Sequence, residues 1–116
     1  MSIIKSIFSK NDKVNNLESE TFNKMIHEDR GVIVLDVRTA QENSKIRIPN
    51  SLLIDFYKPN FIDNIEKLDK SKTYLVYCRS GNRSYSACKQ MKEMGFEKVF
   101  NLVHGIICWN GEVERS

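Results

Sequence analysis

The residues best suited to chemistry lie in the segment YLVYCRSGNRSYSACKQMKEMG, residues 74–95. Four residues of strand character, 74–77, lead directly into Cys78, and a polar turn of residues 79–83 separates that cysteine from an amphipathic segment that begins at Ser84. A thiol between the end of a strand and the first turn of a helix faces unpaired backbone N–H groups and the positive end of the helix dipole, which favour the thiolate. We therefore predict that Cys78 is a nucleophile with a lowered pKa.

The polar turn adds two features that suit an anionic substrate. Arg79 and Arg83 bring positive charge to either side of the cysteine, and Gly81 can adopt the positive φ that turns successive N–H groups toward an anion. A lone cysteine is usually a small buried residue without chemistry, but these neighbours favour a reactive one. The predicted substrate-binding residues are Arg79, Ser80, Gly81, Asn82, Arg83 and Ser84.

Length and composition limit what the rest of the chain can be. The 116 residues fit one domain, and 18 basic against 15 acidic residues give a net charge of +3, too small and too scattered to indicate a nucleic-acid partner. The three cysteines, Cys78, Cys88 and Cys108, lack a C-x-x-C or Cys/His metal spacing, so we predict no disulfide, no metal site and a reducing cytoplasmic location. Residues 1–13 are too polar for a signal peptide or a membrane span, which predicts a flexible arm before a domain over residues 14–116.

Strand-like and helix-like segments alternate along this domain. The predicted strands are residues 14–17, 32–35, 52–54, 74–77 and 98–102, and the predicted helices begin at Ser19, Phe61 and Ser84. Such alternation implies right-handed crossovers between parallel strands. The predicted fold class is therefore α/β, with a mainly parallel five-stranded sheet and helices on both faces.

Several side chains carry local expectations about these elements. Ser19 is expected to cap the first helix and Gly31 to end it. Ile62 is placed on the apolar face of the second helix, and a last helical turn near residues 105–109 is expected to pack Trp109 on the sheet. Cys88 and Cys108 are expected to be small core residues.

The end of the second predicted strand carries a cluster of charged residues. Asp36 and Arg38 lie at the carboxyl end of that strand, and Cys78 lies at the carboxyl end of another strand. Both clusters are therefore expected at the same edge of the sheet. Thr39 is expected to cap a short helical turn, in which Arg38 and Glu42, four residues apart, are spaced to form an ion pair.

In these motifs the chain resembles the single-domain rhodaneses, sulfurtransferases that carry sulfur as a cysteine persulfide. The matching pieces, which together span about residues 17–111, are Leu35-Asp36-Val37-Arg38-Thr39 with Glu42, Ile48-Pro49, residues 76–84, Met94-Gly95-Phe96, and Asn101-Leu102 with Gly105-Ile106 and Trp109. The resemblance implies a persulfide on Cys78, held in a cysteine loop of residues 78–83. It also implies that Asp36, Arg38 and Glu42 hold the neighbouring loop. The chain departs from the family pattern at Asn43, where an aromatic is usual, and at His104. Two alternatives stay open for His104: a loop histidine with no role, which is favoured, or a residue that acts beside Cys78.

The predicted function is transfer of sulfane sulfur from a small anionic donor such as thiosulfate to a thiol or cyanide-like acceptor, or to a sulfur-relay protein. Arg79 and Arg83 would hold the donor, and no metal or organic cofactor is required. Two alternatives stay open. A phosphatase or arsenate reductase uses a similar cysteine loop, which in the related phosphatases is one residue longer, and a rhodanese-type domain can also serve as a non-catalytic binding module.

Overall fold

The computed structural model of the protein describes residues 14–116, so the arm expected at residues 1–13 lies outside the described residues. In chain order the strands are β1 (Asn15–Leu17), β2 (Ile33–Asp36), β3 (Ile46–Arg47), β4 (Leu52–Leu53), β5 (Thr73–Tyr77), β6 (Lys98–Leu102) and β7 (Glu114–Arg115). The helices are α1 (Ser19–Glu28), α2 (Ala40–Lys45), α3 (Phe61–Glu66) and α4 (Asn82–Glu93), and a single 3-10 turn spans Ile106–Cys108.

Five of these strands form one parallel sheet in the order β1-β6-β5-β2-β4. Strands β3 and β7 form a separate antiparallel pair beside it. The predicted α/β class with a five-stranded parallel sheet is confirmed, and the small antiparallel pair is an addition that the sequence did not indicate. Within residues 14–116, none of the helices combines the length and apolar character that crossing a membrane requires.

Successive side chains along the central strands point to opposite faces of the sheet and so divide the core into two layers. One layer lies under α3 and α4 and contains Leu35, Tyr74 and Val76. Leu75 and Tyr77 point to the other face of the sheet, where they join the core layer that contains Phe22 of α1. A strand whose two faces are both covered is apolar throughout, which explains the continuous hydrophobic runs in β2 and β5. Helices therefore cover both faces of the sheet, as predicted.

The register of the central strands fixes where the polar strand ends lie. Asp36 at the end of β2 is paired with Tyr77 at the end of β5, and the Val37 N–H donates to the Tyr77 carbonyl at 3.1 Å. Cys78, the next residue, is thus at the same edge as Asp36. The expectation that the two clusters share an edge of the sheet is confirmed.

The cap and the last residue of helix α1 differ from the prediction because side chains bond elsewhere, and helix α4 begins at Asn82, two residues before the predicted Ser84. Helix α1 begins at Ser19 with Glu18 as its N-cap residue, and the Ser19 hydroxyl donates to Asn110 Oδ1 at 2.9 Å instead of capping the helix. The helix ends at Glu28, before Gly31, whose N–H donates to the Asp29 carboxylate at 2.9 Å. A tertiary partner and a local turn therefore overrode the simple capping pattern.

Two residues expected in the core are exposed. Ile62 is 44% exposed, because α3 has only six residues and turns Phe61 and Ile65 inward. Cys108 is exposed at the end of the 3-10 turn, whereas Cys88 in α4 is buried, so the expectation of a core position is confirmed for Cys88 and wrong for Cys108. Trp109 packs edge-on against Phe22 of α1, with ring centres 5.6 Å apart. It also packs against the core layer that contains Leu75 and Tyr77 of the sheet, which confirms the predicted packing on the sheet.

Candidate active site

The sulfur of Cys78 lies at the centre of a ring of hydrogen-bond donors. The residue is 1% exposed and follows directly after β5. Its Sγ accepts hydrogen bonds from the backbone N–H of Gly81 at 3.2 Å, from the N–H of Ser84 at 3.4 Å and from the Ser84 hydroxyl at 3.3 Å. A buried sulfur with three donors around it is solvated by the protein as an anion would be.

The first turn of α4 supplies this arrangement. Gly81 is the N-cap residue, and no side chain caps the helix. The N–H of Ser84, three residues later, is one that a capping side chain ordinarily satisfies. Here the Cys78 sulfur accepts it instead. Because the sulfur replaces a capping group, negative charge on it lies at the positive end of the helix dipole.

Burial and hydrogen bonding act in opposite directions on the Cys78 thiol. Burial raises its pKa, while the hydrogen bonds from the Ser84 hydroxyl, the Ser84 N–H and the N–H groups of Gly81 and Ser80 lower it, and the net pKa lies below the ordinary value. Ser84 contributes most among the donors because both its hydroxyl and its backbone reach the sulfur. The sequence indicated its N–H group but gave no sign of the hydroxyl bond.

Two glycines allow the cysteine loop to adopt its shape. Gly81 has a φ of 103°, and a side chain there would overlap the carbonyl oxygen of Val103. Gly105 has a φ of 72°, and a side chain there would overlap the backbone of Arg79. Both positions combine a left-handed backbone with close approach of another chain segment, so only glycine fits without rearrangement.

Backbone and amide groups hold the loop from the β6 side. The N–H of Ile106 donates to the Cys78 carbonyl at 2.9 Å, and that of Ile107 to the Arg79 carbonyl at 3.2 Å. Asn101, buried in β6, donates from Nδ2 to the Gly81 carbonyl at 3.4 Å. The loop is therefore fixed by its neighbours, and Asn101 is a supporting residue whose contact only the structure reveals.

Arg83 forms an ion pair with Glu42. Its two terminal nitrogens donate to the two carboxylate oxygens at 2.8 and 2.9 Å. Glu42 also closes a capping box with Thr39, which confirms the predicted cap of α2. Hydrogen bonds from Arg83 are the main reason why the pKa of Glu42 is lowered to about 2. The predicted pair between Arg38 and Glu42 is wrong, because each side chain has a closer partner.

The partner of Arg38 is Asp36. Arg38 is 2% exposed and its Nη2 lies 2.8 Å from Asp36 Oδ2, within a buried ion pair. Tyr77 and Asn43 also donate to Oδ2 of Asp36, each at 2.9 Å. Burial of Tyr77 and the charge of Asp36 raise the pKa of the tyrosine to about 12, which keeps its hydroxyl a donor. Asn43, where the sequence departs from the family pattern, thus makes a polar contact with Asp36.

The remaining predicted residues lie around the rim. Arg79, Ser80 and Asn82 are exposed, Arg79 and Ser80 after the cysteine and Asn82 as the first residue of α4. The side chain of His104 is 59% exposed, and its Nε2 lies 3.6 Å from Oε1 of Glu18. Within residues 14–116, no group of three or more potential ligands is arranged to hold a metal ion.

A cavity of about 200 Å³ lies beside the cysteine loop. It is lined by Arg38, Glu42, Lys45, Ile46, Arg79, Ile106 and Ile107. Three of these are aliphatic and four are charged, so a ligand there would meet both apolar surface and charge. The cavity adjoins the loop through Arg79, the residue that follows Cys78.

Comparison with known proteins identifies the family. The model of the rhodanese-like domain matches residues 18–112. A sulfurtransferase of Allochromatium vinosum is 32% identical over 83% of this chain and 88% of its own length, and the thiosulfate sulfurtransferase GlpE of Coxiella burnetii is 34% identical over 75% of this chain and 79% of its own. The crystal structure of a rhodanese-like domain protein from Staphylococcus aureus superposes with a TM-score of 0.77 at 25% identity, covering 89% of this chain and 99% of that one. The chain belongs to the rhodanese-like domain family, and its relatives support sulfurtransferase activity at the level of the family.

Proposed function

We propose that the protein transfers sulfane sulfur from an anionic donor such as thiosulfate to a nucleophilic acceptor, through a persulfide on Cys78. The observation that carries the proposal is the buried Cys78 sulfur with three hydrogen-bond donors from Gly81 and Ser84. Donors in fixed positions stabilise a thiolate before the reaction and require no reorganisation during it. The name of the relative GlpE, a thiosulfate sulfurtransferase, supports thiosulfate as a donor to test.

The first half-reaction loads sulfur onto the enzyme. The Cys78 thiolate attacks the sulfane sulfur of thiosulfate, a new S–S bond forms to Sγ, and the S–S bond of thiosulfate breaks. Sulfite leaves with the electron pair of that bond. The balance is complete without an external oxidant or reductant, because the electron pair that Cys78 gives equals the one that sulfite takes.

The second half-reaction unloads the sulfur. A thiol or cyanide-like acceptor attacks the terminal sulfur of the persulfide, and Cys78 leaves as a thiolate. A thiol of lower pKa is the better leaving group. The hydrogen bonds that lower the pKa of Cys78 therefore favour its departure as well as its formation. An acceptor on a sulfur-relay protein fits the same chemistry.

The ion pair of Arg83 weighs against the phosphatase alternative. A phosphoryl group needs positive charge on its oxygens, yet both terminal nitrogens of Arg83 bond Glu42. The site therefore presents donors to one sulfur atom but lacks an unpaired arginine at the end of the loop. This arrangement favours sulfur transfer over phosphate chemistry.

Incubation with thiosulfate tests the proposal directly. We expect the intact mass to rise by one sulfur atom, about 32 Da from persulfide formation, with the added sulfur on the Cys78 peptide. Addition of cyanide or a thiol is expected to return the mass to its starting value. Cys78→Ser is expected to gain no sulfur, because an alcohol is a far weaker nucleophile at neutral pH.

The control for this experiment is Cys108→Ala, which removes the exposed cysteine and leaves the buried ones. We expect this variant to gain sulfur at the same rate as the wild type. Absence of a gain in the wild type, or an equal gain in Cys78→Ser, would contradict the assignment.

A further inference from the structure

The cavity beside the cysteine loop is lined by aliphatic and charged side chains. We call it the isoleucine groove, after Ile46, Ile106 and Ile107, which line it. Ile107 is 57% exposed, so its aliphatic side chain is open to a ligand next to the polar loop. The groove is attached to the site, because the Ile106 N–H bonds the Cys78 carbonyl and the Ile107 N–H bonds the Arg79 carbonyl.

Some of the charged residues that line the groove form ion pairs and others do not. Arg38 is bound to Asp36, and Glu42 is bound to Arg83. Arg79 and Lys45 are exposed and form no ion pair within residues 14–116. The unpaired charge of the groove is therefore positive and comes from two cations at its rim, which suits a carboxylate.

The groove and the sulfur are separate places. Cys78 is not among the groove's lining residues, and its sulfur is buried within the loop. In thiosulfate the sulfonate group is bonded directly to the sulfane sulfur, so an ion positioned for attack has nothing that extends into the groove. A donor with an organic body, linked through several bonds to its sulfane sulfur, can place that body there while its outer sulfur meets Cys78.

We propose that the natural sulfur donor is an aliphatic low-molecular-weight persulfide that carries a carboxylate, and that the isoleucine groove selects it over thiosulfate. This inference rests on the proposed sulfurtransferase function. The isoleucines contact the aliphatic part of the donor, and Arg79 and Lys45 bind its carboxylate. Burial of apolar surface and charge-assisted contacts then add to the binding of the donor's body.

The proposed loading step is balanced. The Cys78 thiolate attacks the outer sulfur of R–S–SH, the S–S bond of the donor breaks, and the thiolate R–S⁻ leaves with the electron pair and takes a proton from water. Cys78 keeps the outer sulfur as a persulfide. No further oxidant or reductant takes part.

The test uses a matched pair of donors. The persulfide of N-acetylcysteine and the persulfide of its methyl ester differ in one carboxylate, and thiosulfate is the third donor. The rate constant for persulfide formation on Cys78 is measured by intact mass in a single turnover with each. We expect the acid to react about fivefold faster than the ester, the effect of two partly exposed ionic contacts.

Two variants locate the selection. In Arg79→Gln/Lys45→Gln the acid-to-ester ratio is expected to fall to about one, and in the surface control Lys98→Gln, at the opposite end of the sheet, it is expected to stay at the wild-type value. The ratio is measured on one protein sample, so an unfolded fraction lowers both rates equally. Ile107→Ser is expected to slow both organic donors relative to thiosulfate.

The outcomes separate this inference from the proposed function. A wild-type ratio of one, or an unchanged ratio in the double variant, overturns the inference even when thiosulfate loads Cys78. If no donor adds sulfur to Cys78, the proposed function fails and the inference fails with it.

Discussion

At the scale of single residues, the protein contains two buried cysteines with opposite properties. Cys78 and Cys88 are each 1% exposed or less. Burial raises the pKa of Cys88, and the nearby charge of Cys78 raises it further. Burial acts in the same direction on Cys78, but the hydrogen bonds from Ser84 and Gly81 more than offset it. The direction of the pKa shift therefore follows the local donors and not the depth of burial.

Replacement of Ser84 tests the main donor side chain. Ser84→Ala removes the hydroxyl that lies 3.3 Å from Sγ but keeps the backbone N–H, so we expect the pKa of Cys78 to rise toward the ordinary thiol value. The pH dependence of alkylation by iodoacetamide measures this pKa. Because one neutral hydrogen bond contributes about 1 kcal/mol, the alkylation profile is expected to move measurably to higher pH.

The matched control is Ser86→Ala, which removes a hydroxyl from the same helix at a position with no bond to the sulfur. It is expected to leave the alkylation profile unchanged. A Ser84→Ala profile that coincides with that of the wild type would show that the backbone donors alone set the thiolate.

Arg83 has an ion-pair partner that the sequence did not reveal. Its charge and its place five residues after Cys78 suggested a contact with the donor anion. The structure pairs it with Glu42, 41 residues away. The sequence shows the sign of the charge on a side chain but not which residue it pairs with. The register of β2 and β5 decides which acidic residue lies opposite Arg83. Near-neighbour spacing alone made Arg38 a plausible partner of Glu42.

At the scale of elements, the cysteine loop is held between α4 and the segment after β6. Gly105 lies against the backbone of Arg79 and Ser80, and Asn101 donates to the Gly81 carbonyl. These contacts fix the shape of the loop and leave no room for an extra residue. An extra residue must therefore bulge outward or displace the neighbouring chain.

Insertion of one glycine between Gly81 and Asn82 tests whether loop length determines the chemistry. The insertion moves Ser84 away from the sulfur, so we expect sulfur loading from thiosulfate to slow by about tenfold or more as donors are lost. Both loading from thiosulfate and hydrolysis of an aryl phosphate are measured on both proteins. The wild type is expected to show negligible phosphatase activity.

A glycine inserted between Lys70 and Ser71, in the turn before β5, serves as the control for chain insertion. It is expected to leave sulfur loading unchanged. Faster phosphate hydrolysis than sulfur transfer by the wild type, or undiminished loading after the insertion in the loop, would show that loop length is not the determinant.

Elements were more predictable from the sequence than their ends. The central strands β2 and β5 follow from apolar runs, and the cap of α2 follows from Thr39 with Glu42 three residues later. The N-terminal cap of α1 was not predictable in the same way. Ser19 has the type of a capping residue, but its hydroxyl bonds Asn110, 91 residues further on, and no local pattern encodes such a partner.

At the scale of the whole molecule, the site joins parts of the chain that are far apart in sequence. The Glu42–Arg83 pair connects α2, which follows β2, to α4, which follows β5. The buried Asp36 network links β2 to Tyr77 of β5 in the same way. The parallel fold creates both connections by bringing the ends of these strands to one edge. The ion pair between Glu42 and Arg83 therefore joins the two halves of the site, and we expect it to stabilise the fold.

The pH dependence of unfolding tests that contribution. The pKa of Glu42 is about 2 in the folded protein against an ordinary value of 4.5, so its carboxylate stabilises the fold fully above pH 4.5 and loses this effect as the pH falls toward 2. Glu42→Gln, which cannot ionise, is expected to lower the free energy of unfolding by about 1 to 2 kcal/mol at neutral pH, after allowance for solvent screening. The difference from the wild type is expected to close over that acid range in denaturant titrations.

Glu20→Gln, which replaces an exposed carboxylate in α1, is the control for loss of one charge. A difference that persists unchanged at the lowest pH would mean that packing of the side chain, and not its ion pair with Arg83, stabilises the protein.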